Sequence, residues 1–201
     1  MKIKIESPVL IKKHKIGIIC FRMPNGNLAR IATQALIQKG IHHFIMLGAG
    51  GSLNNESQMG CYQVIKSTSY NNKNNINILN LDIKQMNIDF SKIPILYQNG
   101  NNITVDSPLI ETRNWLNKVK NEMFTCVDVE TYHIIKGIEN CRNIINNIEI
   151  LSGIFISDIV GDCPLVEKIK SRNTWKYLPE FLNICFEYII KQIKNNNNKN
   201  E

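Results

Sequence analysis

Apolar residues along the chain follow two alternating periods. Residues 16–21 (IGIICF) form a short, wholly apolar run, which predicts a buried strand. Asn25-Gly26-Asn27 predicts a turn, with Asn27 as the cap of a helix. Over residues 28–39 the period becomes helical, with Leu28, Ile31, Ala32, Ala35 and Leu36 on one face and Gly40 as the stop. Residues 43–47 (HFIML) are a second apolar run, and Gly48-Ala49-Gly50-Gly51 directly after it reads as a glycine-rich turn. Strand, helix, strand and glycine loop make a βαβ unit and imply parallel pairing of the two strands.

The alternation continues. Residues 62–67 predict a strand, and residues 107–122 a helix with Pro108 in its first turn. Residues 124–127 are short and apolar, 129–138 helical, and 148–156 (IEILSGIFI) a strand ending at Ser157-Asp158. Residues 175–193 predict a closing amphipathic helix. The fold class is therefore α/β: a three-layer sandwich in which a mixed, largely parallel sheet is flanked by helices. Two stretches are low in complexity. NNKNNIN (71–77) reads as a surface loop and NNNNKN (195–200) as a disordered tail. The expected organisation is one domain over residues 1–194 and an Asn/Lys-rich tail over 195–201.

Composition narrows the class. Hydrophobic residues make up 43% and charged residues 20%, as in an ordinary globular protein, so disorder throughout is excluded. No apolar run approaches the ~20 residues that span a bilayer. The start alternates charged and apolar residues and lacks the pattern of a secretion signal, so a cytoplasmic protein with no membrane partner is expected. The net charge of +7 is dispersed along the chain, and no basic stripe carries interleaved aromatics. That argues for a solvated surface and against nucleic acid as partner. The six cysteines (Cys20, Cys61, Cys126, Cys141, Cys163, Cys185) form no CxxC pair. They read as buried free thiols in a reducing compartment, with no metal site.

Three features carry candidate chemistry. In Gly48–Gly51 the missing side chains would let backbone N–H groups approach a ligand closely, the plain alternative being a tight turn. In Asp128-Val129-Glu130 two carboxylates flank an apolar residue, and a carboxylate can accept hydrogen bonds from vicinal hydroxyls such as those of a ribose. The alternative is a helix start where acids favour the dipole. Asp158 closes a buried strand, where partial desolvation raises a carboxyl pKa and suits it to general-acid work. Its alternative is a helix cap, and Asp162 nearby competes for any catalytic role.

These segments, in this order, resemble the nucleoside phosphorylase/nucleosidase superfamily. Residues 26–51 resemble its helix, strand and glycine-rich loop on the base side of the pocket. SLNNESQMGCYQVI resembles a downstream segment, Gly60 matching its glycine. Cys126-Val127-Asp128-Val129-Glu130 resembles the VEME motif, and IFISD (154–158) the strand ending in Ser-Asp. The resemblance implies that Glu130 holds the ribose hydroxyls, with Asp128 and Val129 beside it, and that Met23 and Val129 pack on the sugar. It further implies that Ala49, Gly50 and Gly51 line the base and anion sites. Asp158, with Ser157, would protonate or hydrogen-bond the leaving base.

The chain departs from the phosphorylases of that superfamily. Met46 stands where they have an Arg, Ala49 where the glycine loop has Ser or Thr, and no N-terminal Gly-Asp-Pro loop is present; Arg22 and Arg30 are possible substitutes. Ser107, Pro108 and Leu109 replace the aromatic that many members stack on the base. The expected activity is cleavage of a nucleoside N-glycosidic bond, hydrolytic rather than phosphorolytic. The alternatives are a phosphorylase with a rebuilt phosphate site and an inactive nucleoside-binding module. No cofactor is implied, phosphate being a co-substrate only of a phosphorylase. The partners implied are a small nucleoside and further copies of the chain in a homo-oligomer. His42, His43, Trp115 and Trp175 read as packing or surface residues.

Overall fold

The structure, a computed structural model, describes residues 7–11, 16–20, 23–54, 60–72, 75–80, 84–91, 93, 96–119, 122–145, 147–161 and 177–197. β1 (Ser7–Ile11) and β2 (Ile16–Cys20) pair antiparallel as a two-stranded sheet of their own. The predicted parallel βαβ pairing of β2 is therefore replaced by a hairpin. Strands four residues apart close a much shorter loop than a crossover does.

Gly26, at φ 59°, precedes α1 (Asn27–Gln38), so Asn27 is the first helical residue and no side chain caps the helix. The buried face of α1 is Ala29, Ala32, Thr33 and Ile37, one position round from the predicted stripe, and Leu28 and Ile31 remain half exposed. Gly40, at φ 86°, ends the helix as expected.

β3 (His43–Ser52) runs straight through the glycines, so Gly48–Gly51 is strand and not turn. Beside it lie β8 (Cys126–Asp128), antiparallel, and β9 (Glu149–Ile159), parallel. β8 pairs parallel with β7 (Leu96–Val105), and β7 parallel with β4 (Tyr62–Asn72). The first residues of β4, Tyr62–Val64, then pair antiparallel with Phe155–Gly153 of β9. The ring β4-β7-β8-β3-β9 is thus a closed, mixed five-strand barrel. β5 (Asn75–Asn80) and β6 (Lys84–Gln85) extend it on β4 and β9. The α/β class matches the expectation; the open three-layer sheet does not. β4 is eleven residues long, and register shifts after Val64 and Ile65 bend it, letting one strand serve β9 at its start and β5 at its end.

The interior of the ring holds Cys61, Ile65, Cys126, Ile154 and Ile156, contributed by segments that are not all neighbours in the sheet. Outside, α1 packs on α3 (Thr131–Cys141) over β3 and β9, through Ala29, Ile37, Phe44, Ile134, Ile138 and Ile150. α4 (Leu178–Asn197) covers another side with Phe181 and Cys185 against Leu151, Phe90 and Ile93. It runs to Asn197, three residues into the stretch expected as tail. α2 (Arg113–Val119) covers a third side with Trp115, Leu116 and Val119 against Ile103, Val105, Val127 and Val160. The predicted single helix over 107–122 is broken. Ser107 Oγ accepts from Leu109 N at 3.2 Å and caps a 3-10 turn (Pro108–Ile110), and Thr112 Oγ1 accepts from Trp115 N at 3.3 Å at the start of α2. Cys61, Cys126, Cys141 and Cys185 are buried thiols that form no disulfide among the described residues; Cys163 and Trp175 lie outside them. Among the described residues no helix is long and apolar enough to cross a membrane.

The glycines of β3 are required by packing. A Cβ at Gly50 would lie 2.5 Å from Val127 O and 2.9 Å from Ile154 Cγ2, whereas one at Gly48 would meet nothing nearer than Met46 Cε at 3.7 Å. Gly50→Ala should cost about 1–3 kcal/mol by overpacking, and Gly48→Ala much less. Urea unfolding midpoints of the two variants check this; equal midpoints refute the close-approach account of Gly50.

Candidate functional site

The register between β3 and β9 slips where the candidate acid sits. Gly50 pairs with Ile156 and Gly51 with Asp158, leaving Ser157 as an extra residue on β9. Such a bulge kinks the strand and re-aims the side chains beside it. β9 is buried from Glu149 to Ile156 and half-buried from Ser157 to Ile159, so Asp158 stands where the strand leaves the core. Asp158 Oδ1 accepts the Ser157 hydroxyl at 2.7 Å. The same hydroxyl lies 3.3 Å from Gly50 O. Asp158 Oδ2 faces Gly51, where a Cβ would lie 3.4 Å away, and that Cβ would also strike Val160 Cγ2 at 2.7 Å. Gly51 thus makes room chiefly for Val160, and the carboxyl lies at ordinary contact distance beside it. Burial lifts the Asp158 pKa above the ordinary carboxylate range, and the Ser157 hydroxyl opposes the shift.

The second acid pair splits into two roles. Asp128 is buried, and protein donors fill both its oxygens. Oδ1 accepts from Asn102 Nδ2 at 2.9 Å and Thr104 Oγ1 at 2.7 Å; Oδ2 accepts from Thr131 N at 3.0 Å and from the Thr131 hydroxyl. Burial raises its pKa against those four donors. Asp128 therefore ties β7 to the first residue of α3, which is the helix-start reading of the pair. Glu130 is the half-buried residue that opens α3, and its side chain makes no cap hydrogen bond; its carbonyl accepts from Ile134 N at 3.1 Å.

The remaining candidates lie around these acids. Val129 O accepts from Gly26 N at 3.3 Å, which fixes the start of α1 beside the motif. The Val129 side chain joins Val127, Val160 and Ile110 in one apolar cluster. That cluster brings the Asp128–Glu130 segment and the end of β9 to one place. Met23 packs with Met46 and Leu36 against Phe44 and Ile134, in the neighbouring cluster between α1 and α3. Ala49 is exposed, whereas Gly50 and Gly51 are buried. Gly51 pairs with both β8 and β9 and Gly50 with β9, so these glycines offer close packing and not the open loop expected of them.

Met46, at the position of the phosphorylase Arg, lies with its sulfur 3.6 Å from Ser152 Oγ and 3.8 Å from Thr131 Oγ1. Arg30 acts on His133 across the α1–α3 contact, lowering the histidine pKa further after burial. Arg22 and Asp162 lie outside the described residues. Leu109 is 89% exposed and stands out into solvent. Among the described residues no three His, Cys, Asp or Glu side chains group to hold a metal ion.

One residue escapes the motif reading. Glu111, half-buried between the 3-10 turn and α2, has its pKa pushed up to about 7, first by burial and then by the charge of Asp158. It belongs to no motif of the resembled family, and its only sequence signal is an acid following the apolar Leu109-Ile110 pair.

The closed mixed barrel wrapped by helices is a fold this chain shares with solved nucleoside phosphorylases and nucleosidases. Solved structures similar to this chain include a futalosine hydrolase mutant of Helicobacter pylori, with a TM-score of 0.65 at 10% identity over 92% of this chain and 88% of that one. The Campylobacter jejuni 5′-methylthioadenosine/S-adenosyl homocysteine nucleosidase has a TM-score of 0.62 at 11% identity, covering 89% and 81%. A schistosoma purine nucleoside phosphorylase in complex with hypoxanthine has 0.62 at 12%, covering 89% and 76%. No family model matches the sequence, and no curated protein matches it.

Proposed function

We propose that this chain cleaves the N-glycosidic bond of a nucleoside with water as nucleophile. The observation that supports this most is Asp158: a carboxyl raised by burial, set beside a bulge, braced by Ser157 and lying next to Gly51. Breaking the bond builds positive charge on the sugar and negative charge on the departing base. A proton from Asp158 relieves the second, a contribution of about 10²–10⁴ in rate. Glu130 holds the ribose hydroxyls and favours the distorted sugar of the transition state. Val129 and Met23 pack on the sugar, and Ala49, the exposed residue of the glycine segment, lies on the base side. Asp128, its oxygens already filled, positions Glu130 by fixing the start of α3.

Hydrolysis is favoured over phosphorolysis because Met46 puts a thioether where a phosphate-binding guanidinium would be needed, and the nearby Ser152 and Thr131 hydroxyls already contact its sulfur. Chromatography of base released from 5′-methylthioadenosine and inosine checks the reading. Release at the same rate with and without added phosphate is the expected result. Strict phosphate dependence, with ribose 1-phosphate formed, would assign a phosphorylase; no release from any nucleoside would leave a binding module.

A further inference from the structure

One hydroxyl stands between the proposed general acid and β3. Ser157 Oγ lies 2.7 Å from Asp158 Oδ1 and 3.3 Å from Gly50 O, and it is the donor toward both. A serine hydroxyl carries one proton, so it serves one of the two acceptors well at a time. The acceptors differ in kind. Gly50 O is a neutral carbonyl at every pH. Asp158 is the stronger acceptor when ionised and a weaker one when it carries a proton. Neighbouring atoms hold Gly50 in place, since a Cβ there would lie 2.5 Å from Val127 O and 2.9 Å from Ile154 Cγ2. Ser157 is the half-buried extra residue of the β9 bulge, opposite Gly50 and Gly51. Its hydroxyl can therefore change partner by turning about the Cβ–Oγ bond, with no shift of either strand.

We propose that Ser157 is a positioning residue for the cleavage: its hydroxyl donates to Gly50 O while Asp158 holds its proton, and turns to Asp158 Oδ1 as that proton leaves. This rests on the nucleosidase reading of the same site. As the glycosidic bond breaks, its electron pair leaves with the base and the Asp158 proton goes to the base. Negative charge then develops on the carboxyl, and the Ser157 hydroxyl meets it at 2.7 Å. A hydrogen bond to a charged acceptor is stronger than one to a neutral carbonyl. The contact therefore tightens along the reaction and favours the transition state over bound substrate. Water adds its oxygen to the sugar carbon, the proton it loses returns to Asp158, and the hydroxyl turns back to Gly50 O. Around the acid, β3 presents Gly51, β8 Val127 and β9 Val160, none of which titrates. Glu111, after the 3-10 turn, feels the Asp158 charge; Arg113 at the start of α2 is exposed, and Glu130 opens α3. All three are unchanged when Ser157 alone is replaced, so a difference between such variants belongs to the hydroxyl.

Carbon-13 NMR titration of the whole chain, in the wild type, Ser157→Ala and Ser157→Thr, tests the exchange without needing turnover. The hydroxyl opposes the burial that lifts Asp158, so the Asp158 step should lie higher in Ser157→Ala than in the wild type. Ser157→Thr keeps a hydroxyl and should restore the wild-type step. An Asp158 step that Ser157→Ala does not move overturns the proposal, as does one that Ser157→Thr does not restore. The Gly50 carbonyl carbon reports the other half of the exchange. Its shift should follow the Asp158 midpoint in the wild type and stay flat in Ser157→Ala. A flat Gly50 carbonyl in the wild type, or one that titrates equally without the hydroxyl, overturns the exchange. With 5′-methylthioadenosine as probe, Ser157→Ala should lower kcat about tenfold on the acid side of the pH profile with little change in KM. A weaker acid keeps its proton to higher pH, so the alkaline limb should move up and the deficit should narrow there. A loss that is uniform across pH, or no loss, overturns the proposal. Should Ser157→Ala fail to fold, Ser157→Cys, whose thiol is a weak donor, replaces it in the same measurements. Exchange without cleavage of the probe by the wild type keeps the exchange and removes the nucleosidase reading; cleavage without exchange does the reverse.

Discussion

Asp158→Asn should lower base release from a cleavable nucleoside by about 10²–10⁴ while leaving the fold and ligand affinity nearly intact. The amide is isosteric and its oxygen can still accept the Ser157 hydroxyl, so the brace at 2.7 Å survives. What it loses is the transferable proton. The loss belongs in kcat, because general-acid help acts as the bond to the base breaks and adds little to ground-state binding. Substrates whose base leaves without protonation should be spared: a nucleoside carrying 4-nitrophenol in place of the base should be cleaved nearly as well by Asp158→Asn as by the wild type. Steady-state rates on both substrate types measure the difference. Equal loss on both would assign Asp158 a structural role, and unchanged turnover of the nucleoside would remove it from the mechanism.

The same acid shows how far the sequence can be read. A long apolar run that ends in Ser-Asp marks Asp158 as a residue on the border of the core, and the structure puts it there. The run carries no trace of the bulge at Ser157, because a bulge depends on what lies opposite. Here that is Gly50 and Gly51 of β3. Those glycines read as a turn in the sequence for a related reason. Composition does not distinguish a glycine that turns the chain from one that lets another strand come close, and the deciding atom, Val127 O, belongs to a distant segment. Barrel closure is hidden likewise, since it depends on Tyr62–Val64 meeting Gly153–Phe155 and not on any local period.

Asparagine-rich segments mark the other limit. Leu96–Val105 (LYQNGNNITV) has weak strand propensity, yet it is β7, paired along its length with β4 and at its end with β8. The stretch over 71–77, expected as a surface loop, supplies the end of β4 and the start of β5. Pairing partners override propensity, on both sides for β7 and on one for β5. The helices are more legible, since period and caps are local. Even so, Thr112 divides the helix predicted over 107–122 and leaves Glu111 as the cap after the 3-10 turn. Glu111 is invisible to motif reading because its raised pKa comes first from burial and then from the charge of Asp158, forty-seven residues later in the chain.

Asp128→Ala should be the most destabilising single change at the site, by about 3–5 kcal/mol. The carboxyl accepts from Asn102, Thr104 and twice from Thr131, in surroundings that exclude water. Alanine would orphan those donors together, and each buried unsatisfied group costs about 1–3 kcal/mol. Some of that cost is recovered within the network. Asn102 Nδ2 also lies 3.0 Å from Thr104 Oγ1 and 3.3 Å from Thr68 Oγ1, and Thr104 Oγ1 accepts from Tyr132 N at 2.9 Å. Thr131 N, at the first turn of α3, has no such second partner among these bonds, so the helix start should loosen more than β7. Asp128→Asn should fall between: its amide oxygen can serve Asn102 and Thr104 or Thr131, while its amide nitrogen confronts a donor on the other side. Urea unfolding ranks the three proteins, and hydrogen exchange at Thr131 and Tyr132 localises the effect. If Asp128→Ala unfolds at the wild-type midpoint with those amides still protected, the carboxyl does not anchor α3, and Glu130 must be positioned by other means.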